Sequence, residues 1–447
     1  MKLEEFLDTD LRDFASYSNI RMIASYIDGL KNGARKVVYT ILEKNIKTPI
    51  KVSQLASKVS EFTEYLHGEA SLSGVIVTLG QNFVGTNNLP LLQAKGNFGN
   101  RHAPCASAPR YIFTYGTDNF FKLFNKDDLN ILISQDFEGQ KIEPLFFVPN
   151  LPIILINGSE GIAEGFRQKI LPRHIKAIQK YILDILCGKT PDDRLLTPYF
   201  NGFKGSIVKG DDNWLIKGKI FRTDRTHLKI SEIPIGYDWN SYIKVLDELK
   251  DTGKINNYRD QSDSKLDTFE FIVKLDQKIL DESSEDELLE RLKLIKPITE
   301  KYVCIDENNR VRIFESPKEI ILCYIDIKRK YLQFRKDYQL SMLNKELDID
   351  KNKFRFIQCI INDEIVVNKR KKSDIESDLI KNNFTAVNDS YDYLLSLPIH
   401  SLTKEKLDII KTKIKDIKDK IKALTNTSVT EMFVNDIKEI EFLNKNP

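Results

Sequence analysis

The spacing of apolar residues in the first 175 positions predicts two short helices. The first carries four apolar residues at helical steps on one face: Val52, Leu55, Ala56 and Val59. The second, over 69–83, does the same with Leu72, Val75, Ile76 and Leu79. Two short helices across a polar turn, followed by β-prone segments, are typical of a helix-turn-helix with a wing. An ordinary helical hairpin fits this pattern equally well, so both interpretations stay open.

After position 175 the pattern changes from helical steps to alternation. A helix is predicted near 174–187. Three alternating segments follow it, FNGFKGSIVKG (200–210), NWLIKGKIFRT (213–223) and THLKISEIP (226–234). Glycines and an Asp-Asn pair separate them, as expected of turns between strands. The sequence therefore predicts a meandering antiparallel sheet.

A long helix is predicted to begin at Ser316. Ser316 caps it, Pro317 fits its first turn, and Glu319 lies three residues after the serine, where it closes a capping box. The next Pro or Gly is Pro398. A helix from 317 to about 362 is about 68 Å long at ~1.5 Å per residue.

A heptad seam lies nearer the end of the sequence. Its apolar positions step by three and four residues: Leu407, Ile410, Ile414, Ile417, Ile421 and Leu424. Together with the long helix this seam predicts an antiparallel coiled coil. The segment 363–400 between the two arms is predicted to form a small helical globule.

Composition and charge narrow the class of protein. The chain has 447 residues, 41% of them hydrophobic and 30% charged, with a formal net charge of +3. This length has room for two to four domains of a globular protein. The five cysteines are scattered and form no CxxC pair, which favours a reducing compartment and disfavours structural zinc. The acidic start of the chain excludes a signal peptide and no apolar run approaches the ~20 residues of a membrane span, so we expect a cytoplasmic protein.

The segment 96–114, GNFGNRHAPCASAPRYIFT, carries the candidate chemistry. A glycine-punctuated turn leads into a loop of small residues and then into Arg110 and Tyr111. A phenol is a poor nucleophile until neighbouring cations favour the phenolate, and Arg110 supplies such a cation. The chain holds 17 tyrosines, and a tyrosine after an arginine is usually a half-buried packing residue. Cys105 lies nearby, but no histidine partner that would make it a nucleophile is evident. We therefore interpret Cys105 as a packing residue.

The neighbouring segments favour a catalytic role for Arg110 and Tyr111 over a packing role. They are IRMIASYIDGLKNGARKVVY (20–39), KVSQLASKVSEFTEYLHGEASL (51–72), LGQNFVGTNNLPLL (79–92) and LPIILINGSEGIAEGF (151–166). In this order and at this spacing they resemble the DNA-cleavage part of type IIA DNA topoisomerases, with the eukaryotic patterns DGxKPxxRKVxY, YHHGExSL, AQNFVGxNN and ARYIYT the nearest. In size and ending the chain resembles the stand-alone cleavage subunits of T-even bacteriophages.

The resemblance implies four catalytic residues. Tyr111 attacks a phosphodiester, keeps the 5′ end as a phosphotyrosine and frees a 3′ hydroxyl. Arg110 precedes this nucleophile, and Arg21 lies where the family has its active-site arginine. His67 matches the second histidine of the family's pair, where it hydrogen-bonds the phosphate or passes a proton. A lone histidine beside a glycine is otherwise more often structural.

The resemblance also implies a DNA-binding set. Lys31, Arg35 and Lys36 match residues that contact the DNA backbone, without sequence choice. The alternative interpretation is that these three residues form a solvated helix face without binding DNA. Ile162 matches the isoleucine that wedges between base steps and bends the duplex. Its rival interpretation is a buried isoleucine in a β-turn.

The sequence departs from the family's pattern at three positions and lacks two of its modules. Leu66 replaces the first histidine of the pair, Asn32 replaces a proline, and Pro109 stands where the family has alanine. Neither a phosphate-binding GxxxxGK[ST] loop nor an ATPase lid is present, and the nearest Asp-x-Asp candidate, Asp389–Asp392, has a polar helical setting. We therefore predict no metal site in this chain. Mg²⁺ and ATP are expected to be bound by a partner subunit, with the chain a homodimer within a heteromultimer.

These observations and the resemblance together imply an α+β multidomain protein: a winged-helix cleavage domain (1–175), a β-rich tower domain (176–315), and a coiled coil with a helical C-gate for dimerisation (316–447). The expected activity is ATP-dependent relaxation and decatenation, without supercoiling, because no repeated β-blade domain follows the coiled coil. One alternative is a gyrase or topoisomerase IV A-type subunit lacking its C-terminal domain. Another, from a different class, is a paralogue that clamps DNA without cutting it.

Overall fold

The computed structural model describes residues 3–367, 370–387, 389–398 and 403–440. The chain divides into two compact units, 1–328 together with 434–447, and 329–433. None of the helices in the described ranges is both long and apolar enough to cross a membrane. The division into three segments made from the sequence stays a prediction.

The first 175 residues alternate helices with short strands that pair antiparallel. The helices are α1 (Leu3–Phe6), α2 (Arg12–Met22), α3 (Asn32–Glu43), α4 (Val52–Thr63), α5 (Glu69–Gly80), α6 (Asp118–Leu123) and α7 (Ile153–Asn157). A π-helical turn covers Leu7–Leu11 and a 3₁₀ turn Lys126–Asn130. The strands are β1 (Ile50–Lys51), β2 (Phe113–Thr114), β3 (Ser134–Phe137), β4 (Gln140–Pro144), β5 (Ser159–Ala163) and β6 (Phe166–Ile170). They pair as β1–β2, β3–β4 and β5–β6.

The two short helices predicted from apolar spacing are confirmed as α4 and α5. All four predicted core residues of α4 are fully buried, and helix α4 ends where Glu64 takes a left-handed conformation (φ 48°). Helix α5 ends at Gly80, three residues before the predicted end, because Gln81 is extended. A Cβ at Gly80 would lie 3.0 Å from the Phe98 ring, so α5 ends where the loop before Tyr111 packs against it.

The region after 175 contains both strands and helices. Its helices are α8 (Ile175–Leu186), α9 (Trp239–Asp251), α10 (Gln277–Glu282) and α11 (Glu285–Arg291), with a 3₁₀ turn at Asp193–Leu196. Its strands are β7 (Ser206–Lys209), β8 (Trp214–Lys217), β9 (Lys219–Arg222), β10 (His227–Glu232), β11 (Asn257–Asp260), β12 (Phe271–Lys274), β13 (Ile295–Ile298), β14 (Val303–Ile305) and β15 (Val311–Ile313). The predicted helix near 174–187 and the predicted strands are confirmed.

The prediction of one meandering sheet was wrong. The strands form a four-stranded sheet in the order β11-β12-β10-β9, a three-stranded sheet β13-β8-β7, and the pair β14-β15, all antiparallel. The chain changes sheet at Gly218, whose N–H donates to the Leu294 carbonyl (2.8 Å). A Cβ at Gly218 would lie 2.5 Å from the Glu232 carbonyl oxygen, so this crossing requires glycine.

The long helix α12 (Pro317–Ile361) is confirmed, with 45 residues. Its cap differs from the prediction. Ser316 Oγ accepts from the Glu319 N–H at 3.4 Å, but the Glu319 carboxylate accepts from the Glu315 N–H (2.9 Å) and also pairs with Arg312 (3.2 Å). In a capping box, the Glu319 carboxylate would accept from the Ser316 N–H. It accepts from the Glu315 N–H instead, one residue earlier, because its ion pair with Arg312 draws it towards β15.

The unit 329–433 is an antiparallel helical pair with a small core. Helices α13 (Lys372–Lys381), α14 (Asp392–Leu395), α15 (Lys404–Asn426) and α16 (Val429–Glu439) follow α12. Lys413 pairs with Glu346 and Asp350, and Lys336 donates to the Thr425 and Thr427 carbonyls, which confirms the antiparallel arrangement. Seam residues Ile410 and Ile417 are buried. The predicted globule has its own core of Phe356, Ile365, Ile375, Leu379, Phe384 and Leu394.

Candidate functional site

Tyr111 projects into solvent from the end of a structured loop. Its side chain is 67% exposed, while the next residue, Ile112, is buried. The Tyr111 N–H donates to the Ala108 carbonyl (2.9 Å), and the Arg110 guanidinium lies 4.9 Å from the Tyr111 ring centroid. Strand β2 then pairs with β1 and, at Phe113, with Lys95. A buried anchor therefore holds an exposed phenol beside a cation.

The loop before Tyr111 is fixed by glycines and by backbone hydrogen bonds. Gly99 has φ +92°, and a Cβ there would lie 2.3 Å from the Pro104 carbonyl oxygen. The Gly99 N–H donates to Asn97 Oδ1 (2.9 Å), and the Ser107 N–H donates to the Asn97 carbonyl (3.0 Å). The two limbs of the loop therefore approach at a distance that only glycine permits.

A separate cleft of about 950 Å³ collects the other predicted catalytic residues. Arg21, in the last turn of α2, and His67, between α4 and α5, both line it. His67 Nε2 lies 2.7 Å from the Tyr17 hydroxyl. Partial desolvation and then the charge of Arg21 lower the pKa of His67, which favours the neutral imidazole. The cleft therefore places the His67 imidazole near the Arg21 cation.

The chain does not bring all four predicted catalytic residues together. Arg110 and Tyr111 form one pair, while Arg21 and His67 form a second pair in the cleft, whose lining contains neither Arg110 nor Tyr111. One copy of the chain therefore presents the exposed Tyr111 phenol and the cleft lined by Arg21 and His67 at two different places on its surface.

Lys31 lies at the edge of the cleft. Its Nζ donates to the Glu160 carbonyl (2.7 Å), and burial lowers the pKa of this ammonium against the raising effect of the Glu160 charge. An ammonium has three donors, and this hydrogen bond uses one of them.

Arg35 and Lys36, which were predicted to contact DNA phosphates, both have internal partners, and their contact with DNA stays a prediction. Arg35 is 6% exposed and its Nε donates to Asp28 Oδ2 (2.8 Å). Lys36 is 8% exposed and its Nζ pairs with Glu143 (2.9 Å) and donates to the Thr63 carbonyl (2.5 Å). Neither cation lies on a solvent-exposed helix face, because α3 turns that face into the core. The alternative interpretation of these residues as a solvated helix face is therefore wrong. Both residues stabilise the frame of the cleft.

Ile162 is 67% exposed on β5, paired with Arg167 of β6. The rival interpretation of a buried isoleucine in a turn is therefore wrong. The hairpin packs tightly on the end of α2, since a Cβ at Gly161 would lie 2.1 Å from the Met22 carbonyl oxygen. This contact fixes the exposed isoleucine relative to Arg21.

The three departures from the family's pattern fall at defined places. Leu66 is among the most exposed apolar side chains and lines the cleft beside His67. Asn32 is the first residue of α3. The Pro109 carbonyl accepts from the Ser53 N–H (3.3 Å), which ties the loop before Tyr111 to the first turn of α4.

Sequence reasoning missed two residues near this site. Tyr17 lies four residues before Arg21 on α2, a spacing that places both on one helix face and that was an available signal. Arg101 is buried in an ion pair with Glu232, 131 positions away, and no periodic pattern connects the two.

In the ranges that the structure describes, no group of three or more His, Cys, Asp or Glu side chains is placed to hold a metal ion. Asp392, within the nearest Asp-x-Asp candidate, pairs with Lys372 (2.7 Å).

Comparison with known proteins identifies the class. Residues 21–442 match the family of the DNA gyrase/topoisomerase IV A subunits, and the chain belongs to this family of type IIA topoisomerases. It is 32% identical over 482 residues to a DNA topoisomerase 2 of Penicillium chrysogenum, covering 99% of this chain and 30% of the relative. It is 33% identical over 471 residues to DNA topoisomerase 2-alpha of Gallus gallus, covering 97% and 30%.

A solved structure supports the same assignment. The DNA-binding, cleavage and re-ligation domain of Plasmodium falciparum topoisomerase II matches with a TM-score of 0.89 and 32% identity, covering 98% of this chain and 63% of that one. The chain thus spans about a third of the length of the two curated relatives, from Penicillium chrysogenum and Gallus gallus.

Proposed function

We propose that this chain is the DNA breakage-reunion part of an ATP-dependent type IIA topoisomerase, with Tyr111 as nucleophile. The observation that carries the proposal is the exposed Tyr111 phenol beside the Arg110 guanidinium, at the end of a loop held by Gly99. Each duplex strand would be broken and resealed by one tyrosine, so that a second duplex passes through the gap.

The proposed reaction is a transesterification. The Tyr111 oxygen forms a bond to phosphorus, the bond from phosphorus to the 3′ oxygen breaks, and the 5′ end stays on the protein. The tyrosine loses its proton and the 3′ oxygen gains one. Cations that stabilise the pentavalent transition state more than the ground state accelerate this step. Since an ester is exchanged for an ester, religation needs no ATP.

Dimerisation would complete the site. Neither Tyr111 nor Arg110 lines the cleft that Arg21 and His67 line in the same chain. A second copy of the chain would present its Tyr111 to this cleft, where Arg21 and Lys31 contact the phosphate and neutral His67 exchanges a proton. The helical globule around Phe356 and Leu394 is the proposed second contact between copies, as the C-gate.

The remaining parts of the enzyme would come from outside this sequence. In the described ranges, no group of three or more His, Cys, Asp or Glu side chains is placed to hold a metal ion. We propose that Mg²⁺ and ATP are bound by a partner subunit of the T-even bacteriophage kind. Within this chain, α4, α5 and the β1–β2 pair correspond to a winged helix, and 176–315 to a tower domain.

Trapping of the covalent intermediate tests the proposal. The chain is incubated with its ATPase partner, Mg²⁺ and a duplex, then denatured rapidly, and the adduct is digested for mass spectrometry. We expect a nucleotide on Tyr111 through its 5′ phosphate. An adduct on another residue, or none with every component supplied, contradicts the proposal.

Ile162 provides a test of DNA bending. Truncation to alanine removes the exposed wedge, so a duplex of ~30 base pairs should bend less and bind about 10-fold more weakly, since intercalation exchanges a few kcal/mol of stacking for wider contact. Energy transfer between dyes at the duplex ends measures the bend. Val208→Ala, an exposed residue on β7, is the control. If the Ile162→Ala variant bends the duplex as much as the wild type does, Ile162 does not act as a wedge.

A further inference from the structure

Arg101, ten positions before the nucleophile, is buried against the four-stranded sheet. The side chain is 4% exposed. One guanidinium nitrogen donates to Glu232 Oε1 (2.5 Å) and the other to the Ile233 carbonyl (2.8 Å). The proposed transesterification assigns no role to this ion pair, although it joins the loop of the nucleophile to the end of β10.

Glu232 is itself rigidly held. Its Oε1 accepts from the Ile233 N–H (2.9 Å) and its Oε2 from the Lys204 N–H (3.1 Å). It also lies where the pairing between β10 and β9 shifts register, an irregularity of the kind that redirects a strand side chain. With both carboxylate oxygens engaged by backbone donors, Glu232 is a fixed acceptor for Arg101.

A second set of contacts supports the same junction. Asp267 Oδ1 accepts from the Arg101 N–H (2.9 Å) and lies 3.3 Å from His102 Nδ1. The guanidinium carbon of Arg101 lies 4.6 Å from the Phe269 ring centroid, and the His102 ring stacks on Phe269 at 4.9 Å. The Trp239 N–H donates to the Arg101 carbonyl (3.0 Å). The loop is therefore held through both its backbone and its side chains.

Hydrogen bonds connect this junction to the nucleophile. The Asn100 N–H donates to the Ala103 carbonyl (3.0 Å), and the Ser107 N–H to the Asn97 carbonyl (3.0 Å). Gln81 Nε2 donates to the Phe98 carbonyl (2.9 Å), which ties the loop to α5. The Tyr111 N–H then closes a turn on Ala108. Because these hydrogen bonds connect the residues of the loop to one another, a shift of Arg101 displaces Tyr111.

We propose that Arg101 is a positioning residue for the reaction: its buried pairing with Glu232 fixes the loop 96–110 and thereby sets where the Tyr111 oxygen stands relative to the phosphate. This role rests on the proposed function, although the ordering of the loop can be measured without any reaction. Since displacement by ~1 Å can cost an enzyme about 100-fold in rate, a fixed nucleophile loop has a large effect on cleavage.

Amide hydrogen exchange on the whole chain tests the ordering of the loop. The variants are Arg101→Met, the isosteric Glu232→Gln and their combination. We expect about 10-fold faster exchange at Ser107 and Tyr111 in each, with the double variant no faster than the more affected single variant. The control is Arg222→Met, which breaks the exposed pair with Asp281 on the same sheet. Unchanged exchange in Glu232→Gln, or an equal rise in Arg222→Met, overturns the proposal.

The cleavage reaction provides the second measurement. On an end-labelled duplex with one strong site, Arg101→Met should give about 10-fold less adduct, spread over neighbouring phosphates, with DNA affinity within about twofold of wild type. Arg101→Lys should recover part of the yield. An unchanged yield and position of cleavage refute the positioning role even if exchange is faster. Absence of adduct in the wild type refutes the proposed function instead, and the exchange measurement then decides on Arg101 alone.

Discussion

Tyr111→Phe is expected to lower formation of the covalent adduct by at least about 10³-fold while leaving DNA binding within about twofold of wild type. The substitution removes one oxygen, and that oxygen is the atom proposed to bond to phosphorus, so no alternative route to the adduct remains. The side chain is 67% exposed and its hydroxyl supports no described packing, so folding should be unaffected. Adduct yield is measured after denaturant trapping with Mg²⁺ and the partner subunit present.

Tyr115→Phe is the matched control for this experiment. Tyr115 lies four residues further on, is half-buried, and has its ring 5.4 Å from Lys95 Nζ. Its variant should retain the wild-type yield of adduct. If Tyr111→Phe still forms adduct, another tyrosine is the nucleophile. If both variants lose it equally, the effect reports on the β1–β2 region rather than on the phenolic oxygen.

The elements that the sequence predicted well depend on short-range signals. The apolar steps of α4 and the seam of α15 reflect which side of a helix is buried, and that choice is repeated every three or four residues. The start of α12 rests on Ser316 and Pro317, which act on the turn that contains them. The bond from Glu319 was misplaced by one residue because its second partner, Arg312, belongs to the preceding strand.

The errors concern contacts between distant positions. Alternating strands after 200 did not reveal that Gly218 moves the chain from one sheet to another, because the partner at that crossing is Leu294. Motif matching also did not reveal the partner of Lys36, since its acceptor Glu143 lies 107 positions away. In the same way, Tyr111 was predicted by its motif, but no local pattern indicated that the cleft lined by Arg21 and His67 lacks it.

The internal pairing of Arg35 has a consequence for stability. Asp28 is fully buried: Oδ1 accepts from the Leu30 N–H (2.9 Å), and Oδ2 from Arg35 Nε (2.8 Å) and the Phe147 N–H (3.1 Å). The next residue, Gly29, has φ +67°, and a Cβ there would lie 2.4 Å from the Ile154 nitrogen. Asp28 therefore holds the sharp turn that delivers Lys31 to the cleft.

Asp28→Ala is expected to lower the free energy of unfolding by about 3–5 kcal/mol, because it leaves a buried guanidinium and two N–H groups without their acceptor. Chemical denaturation followed by circular dichroism measures this loss. Asp281→Ala, which removes a half-exposed partner of Arg222, should cost no more than about 1 kcal/mol. Combining Asp28→Ala with Arg35→Met should recover part of the loss, since no charge is then stranded. Equal losses in Asp28→Ala and Asp281→Ala would contradict a buried, stabilising pair between Asp28 and Arg35.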